Sequence, residues 1–148
     1  MSARPGFVSE VVIAAPPHDV FSAVSSLEGL AGWWVPTVTG CTAQGGEVVF
    51  SFGDQRIIMR VDHVDDPRQV TWTCLRHTKF PEWDGTTVRF DLRTADEDAD
   101  ATVLSFEHAG LVPEFECFSM CSSGWGHYLA SLADHLVKGE GTPWTSSP

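Results

Sequence analysis

The chain has 148 residues, 43% hydrophobic and 11% aromatic, with a formal net charge of −11 from 20 acidic against 9 basic residues. A domain of about 150 residues buries roughly 70% of the surface its unfolded chain exposes, so a single core suffices without a metal or disulfide staple. The acidic balance repels phosphate backbones and anionic lipid heads, which argues against nucleic acid and membrane surfaces, and no segment approaches the roughly 18 consecutive apolar residues of a membrane span.

The opening MSARPGFVSE lacks the charged-then-apolar pattern of a signal peptide, so a cytoplasmic location is expected. Phe7 to Ala15 has strand composition, with Phe7, Ser9, Val11 and Ile13 facing one way. Pro16-Pro17 breaks it. A short helix then runs from Pro17 to Val24, with Pro and Asp19 in its first turn and Val20, Phe21 and Val24 inward. Ser26 to Trp34 reads as a second short helix ending in two tryptophans, and Pro36 stops it.

From residue 46 the period changes to two. Val48, Phe50 and Phe52 alternate with Glu47, Val49 and Ser51, Gly53-Asp54 turns the chain, and Ile57, Met59 and Val61 return. Asp65-Asp66-Pro67-Arg68 leads into Val70, Trp72 and Cys74. A loop from His77 to Gly85 precedes Val88, Phe90 and Leu92. The acidic run Asp96 to Asp100 reads as a solvated hairpin loop, lacking the glycine turn and distal glutamate of an EF-hand. It returns the chain into Thr102, Leu104, Phe106 and His108.

Pro113 to Gly139 is predicted as one long amphipathic helix. Phe115, Phe118, Trp125, Leu129, Leu132 and Leu136 lie on its apolar stripe, and His127, Ser131, Asp134 and Lys138 on a polar face. Gly139 suits a left-handed stop, and Asp134 and Lys138 form an acid-first pair one turn apart. The expected architecture is α+β, a curved antiparallel sheet wrapped around the terminal helix. It forms one domain with a core of about residues 7–144 and a tail loosely ordered beyond Trp144.

Cys41, Cys74, Cys117 and Cys121 show no CxxC spacing, so buried reduced thiols are expected, with no disulfide, metal or cofactor. No GxSxG, Walker or GxGxxG motif occurs.

The start Pro17-x-x-Val20-Phe21, Gly29-Leu30-Ala31-Gly32-Trp33-Trp34, Gly124-Trp125-Gly126-His127-Tyr128-Leu129 and the ending Leu132 to Gly141 resemble the SRPBCC superfamily. The nearest branch is the one resembling the activator of heat-shock-protein-90 ATPase. The resemblance implies a helix-grip, or START-like, fold whose long helix closes a curved sheet over a cavity. Its members carry lipids, hormones or hydrophobic metabolites, and some cyclise polyketides.

With that fold, strand phase assigns Phe50, Phe52, Met59, Trp72, Cys74, Phe90, Leu104 and Phe106 to a cavity wall, and helix phase adds Phe118, Cys121 and Trp125. Trp33 and Trp34 are placed at the mouth. Such aromatic walls suit an apolar or aromatic ligand, and they equally suit a filled core. Arg76 continues the phase of Trp72 and Cys74 and is a candidate partner for a ligand carboxylate. His108 points inward by phase, as a candidate acid or base or as a histidine satisfied by its surroundings. His63 ends its strand, where exposure is expected, and His77, Glu82, Trp83 and Asp84 belong to a candidate lid loop.

Three functions follow as expectations: binding of a small hydrophobic or aromatic molecule, cyclase or dehydratase chemistry through His108, and a chaperone-associated interaction module using an exposed Trp33-Trp34 patch. A homodimer through an exposed strand or aromatic patch is a further candidate.

Overall fold

In the computed structural model, which describes residues 6–95 and 98–145, the strands are β1 (Gly6–Ile13), β2 (Thr37–Gly40), β3 (Glu47–Phe52), β4 (Gln55–Asp65), β5 (Gln69–His77), β6 (Thr87–Ala95) and β7 (Asp98–Ala109). The helices are α1 (Pro17–Ser25), α2 (Leu27–Trp33) and α3 (Phe118–Val137). The strands form one sheet in the order β1-β7-β6-β5-β4-β3-β2, antiparallel throughout. This is the expected α+β helix grip: a meander closed by β1 against β7, with the helices covering its apolar face. No helix among the described residues is long and apolar enough to cross a membrane.

Local signals set most boundaries. Pro17 opens α1, the Ser26 hydroxyl caps α2 by accepting from the Gly29 N–H at 3.0 Å, and Gly139 ends the terminal helix at φ +81°. Asp134 and Lys138 pair at 3.4 Å as their spacing required. Three expectations are corrected. The helix starts at Phe118 rather than Pro113. Residues 112–118 turn twice instead, through Val112 O to Phe115 N and Phe115 O to Phe118 N, and the Glu116 N–H is drawn to the Glu82 carboxylate of the β5–β6 loop at 3.0 Å. Strand β2 lies ahead of the first period-two signal; with only Val38 turned inward, it is too short to show an alternation. Ser131 is buried, not on a polar face: its hydroxyl donates to Trp33 O at 2.8 Å and accepts from Thr142 N at 2.7 Å.

Two bulges reset the sheet's phase. On β5, Ile58 faces Arg76 while Met59 faces Cys74, so Leu75 is extra. On β4, Val61 faces Trp72 while His63 faces Thr71, so Asp62 is extra. Each extra residue flips the alternation beyond it. Arg76 is therefore exposed, and His77 turns inward in its place; His63 is exposed, and Val64 packs on the core.

The middle of the grip is filled. Trp34, Trp72, Phe90, Phe106 and Trp125 form a closed circuit of rings with successive centroids 6.1, 5.1, 5.3, 4.5 and 5.0 Å apart, and Phe50 lies 4.4 Å from Trp34. Aromatic pairs at these separations contribute about 0.5–1.5 kcal/mol each beyond the area they bury. Trp33 and Trp34 are buried, so they form no exposed patch; the Trp33 Nε1–H donates to Ala23 O at 2.8 Å. Cys74, Cys117 and Cys121 are buried thiols, whereas Cys41 is exposed after β2. In the acidic hairpin, Asp96 and Glu97 lie outside the described residues, as does the tail from Ser146 onward.

Candidate functional site

An aromatic-lined space lies at one end of the grip rather than at its centre. A cavity of about 390 Å³ is bounded by the β3–β4 hairpin, the end of β5 with its following loop, the first half of α3 and the segment after it. The helix contributes Met120, Cys121, Gly124, Trp125 and Tyr128, one stripe at alternating steps of one and three residues. Gly124 leaves the floor bare: a Cβ built there meets nothing within 4 Å. The hairpin supplies Phe52, Gln55 and Ile57.

The fourth side is a strap. Beyond Gly139 the chain doubles back along α3, tied by Thr142 N to Ser131 Oγ at 2.7 Å and by Trp144 N to Trp34 O at 2.7 Å. This lays Trp144 edge-on to Phe52, with centroids 5.7 Å apart, across the mouth.

The β5–β6 loop supplies Lys79, Phe80 and Trp83, and the bulge at Leu75 supplies His77. His77 Nδ1 accepts the Lys79 and Phe80 N–H groups at 3.1 and 3.0 Å, and Phe80 and Trp83 flank its ring at 5.0 and 4.8 Å. Burial lowers its pKa to about 4, opposed by the Asp84 carboxylate and reinforced by Lys79, so the imidazole is neutral at pH 7.

Behind the wall lies a second histidine. Trp125 Nε1–H can only donate, so His108 Nδ1, 2.9 Å away, accepts; its proton is then on Nε2, which donates to Thr86 Oγ1 at 2.9 Å. Both ring nitrogens are engaged within the protein, and the residue does not line the cavity. Cys121 does line it, but burial raises its thiol to about 12, reinforced by its contact with Cys117, and it accepts the Trp83 Nε1–H at 3.3 Å. Cys74 is likewise pushed up to about 12 by burial. Neither is a nucleophile at neutral pH. Burial also raises the Tyr128 phenol.

Of the residues assigned to the wall by phase, Phe52, Cys121 and Trp125 meet at the cavity, joined by Trp34 from the pair placed at the mouth. Trp33, Phe50, Met59, Trp72, Cys74, Phe90, Leu104 and Phe106 are buried in the packed core away from it, and Phe118 is half-buried at the start of α3. Arg76 faces out, so it cannot meet a ligand carboxylate in this cavity. Sequence reasoning missed Ile57, Phe80, Tyr128 and Trp144. Tyr128 was discoverable from its spacing of seven from Cys121; Trp144 carries no local signal.

The family described as polyketide cyclase / dehydrase and lipid transport matches residues 4–116, which takes in the whole sheet and stops short of α3. The chain is similar to Aha1 from Colwellia psychrerythraea, solved as a dimer, at 25% identity and a TM-score of 0.79 over 93% of this chain and 99% of that one. It is also similar in fold to protein MLL2253 from Mesorhizobium loti (20% identity, TM-score 0.77, 92% and 99% covered) and to CalU16 from Micromonospora echinospora (21%, 0.70, 91% and 75%). No curated protein matches the sequence. With its family match spanning most of its length and its fold shared with these structures, the chain belongs to the polyketide cyclase / dehydrase and lipid transport family of the SRPBCC superfamily.

Proposed function

We propose that this protein binds a small, flat, apolar molecule in the end cavity, and that it holds this molecule rather than transforms it. The observation that carries this reading is the lining. Seven of its side chains are Trp, Phe or Tyr, and none is a carboxylate, around a space of about 390 Å³ that falls within the usual range for small-molecule sites. Membership of a family described by polyketide cyclisation and lipid transport supports the same class of ligand.

Acid–base chemistry has less support. The residue nominated for it, His108, has both ring nitrogens bound to Thr86 and Trp125 behind the wall, and the histidine that lines the cavity, His77, has its Nδ1 lone pair taken by the Lys79 and Phe80 N–H groups and so cannot act as a base there. An interaction module built on Trp33 and Trp34 has less still, since both are buried.

Gly124→Leu tests the proposal. The new side chain enters open space, and leucine is the better helix former, so the variant keeps its thermal midpoint while the cavity fills. Nile red is expected to brighten with the wild-type protein and not with Gly124→Leu. Equal brightening with both would place the dye elsewhere and defeat the reading.

A further inference from the structure

The cavity wall contains a histidine donor whose position is set by the fold. His77 Nδ1 is occupied by two main-chain N–H groups, so its lone pair is spent and the proton sits on Nε2. Among the described residues no group accepts from Nε2. Every buried side-chain polar atom among the described residues has a partner, so the unpartnered Nε2 of this buried ring has an accessible surface, and the ring lines the cavity. Of the indole donors that line the cavity, Trp83 Nε1 is already used on Cys121 and Trp125 Nε1 on His108, while the Trp34 and Trp144 indoles are further donors, which the His77→Asn variant separates from His77. Tyr128, Gln55 and Lys79 also reach the cavity, but from half-buried or exposed positions with freer side chains.

We propose that the ligand presents a carbonyl oxygen, in or beside its ring system, to the Nε2–H of His77; this rests on the end cavity being the binding site. Without such an oxygen, a flat apolar guest would strip water from the donor and leave it unpaired, which disfavours that guest. The class this selects is the uncharged aryl ketone, quinone or lactone. A carboxylate is selected against, because the imidazole is neutral and the chain carries a net charge of −11.

Fluorene and fluorenone have nearly the same shape and differ in a CH₂ against a C=O, so they isolate this contact. By titration calorimetry the wild-type protein is expected to favour fluorenone by about three- to tenfold, the range of one net hydrogen bond. The infrared carbonyl band of bound fluorenone should lie below its position in hexane. His77→Asn keeps an oxygen near the Nδ1 position for the Lys79 and Phe80 N–H groups while deleting Nε2–H. It should equalise the two affinities through fluorenone alone and return the band to its apolar position.

Equal affinities in the wild type, or a preference and band shift that survive His77→Asn, would overturn the proposal and leave the cavity reading intact. Failure of both molecules to bind would sink the two together. Should His77→Asn not fold, the wild-type band decides, and an unshifted carbonyl overturns the inference.

Discussion

Trp125 Nε1 donates to His108 Nδ1 across 2.9 Å, a bond that joins α3 to the end of β7. The chain of donors continues: His108 Nε2 meets Thr86 Oγ1 at 2.9 Å, and the Thr86 hydroxyl donates to Trp83 O at 2.5 Å. Helix, sheet and loop are thereby locked at one point. The indoles of Trp83 and Trp125, stacked with centroids 6.0 Å apart, are held as adjoining walls of the cavity. Every member of this buried network is satisfied, which is the condition under which such a network rigidifies a core.

His108→Ala should therefore act on stability. It strands the Trp125 N–H, removes a partner of Thr86 and opens a void where the residue has no exposure. A buried unsatisfied donor plus a cavity predicts a loss of about 3 kcal/mol, read as a lower urea midpoint. A midpoint close to the wild-type value would show that the network does not hold the fold together.

Gly141→Ala should release the strap. A Cβ on Gly141 would lie 2.7 Å from Gly32 O and 2.8 Å from Ser131 O, and these main-chain atoms cannot yield. The expected result is displacement of Trp144 from Phe52, with weaker ligand binding and a stability loss of about 1–2 kcal/mol. The chemical shifts of the Trp144 indole N–H would report the movement; an unchanged resonance together with unchanged affinity would show that the strap tolerates the methyl.

Acidification should weaken the fold through His77. Its pKa in the folded protein is about 4 against an ordinary value of 6.5, chiefly through burial, so between these values the unfolded chain binds the proton and the folded one does not. Its contribution is complete above pH 6.5, declines as the pH falls toward 4 and levels off below. Urea midpoints of wild type and His77→Asn, compared from pH 7 to pH 4, should converge or cross as the wild type loses more. Parallel curves would mean that the imidazole is protonated without penalty in the folded state.

What could be read of the site from the residues alone followed from regularity. Trp125 and Cys121 keep helical phase and Phe52 keeps strand phase, so all three were assigned inward, and they line the cavity. Arg76 and His77 exchange roles because a bulge needs a count of residues on the partner strand, and Ile58 facing Arg76 beside Met59 facing Cys74 is a property of the pair. Ser131 looked like surface because its partners, Trp33 O and Thr142 N, are 98 and 11 residues away in the chain.

Periodicity, prolines, glycines and the ordered motifs of the chain were enough for the strand–helix order apart from β2, the stop at Gly139, the superfamily and the inward turn of His108, because each is written in neighbouring residues. The tertiary structure alone decided where space remains. A cavity is the small difference between the volume enclosed by sheet and helix and the volume of the side chains packed inside. Here the ring circuit from Trp34 to Trp125 fills the middle, while the loop at Phe80 and the strap at Trp144 wall off the end.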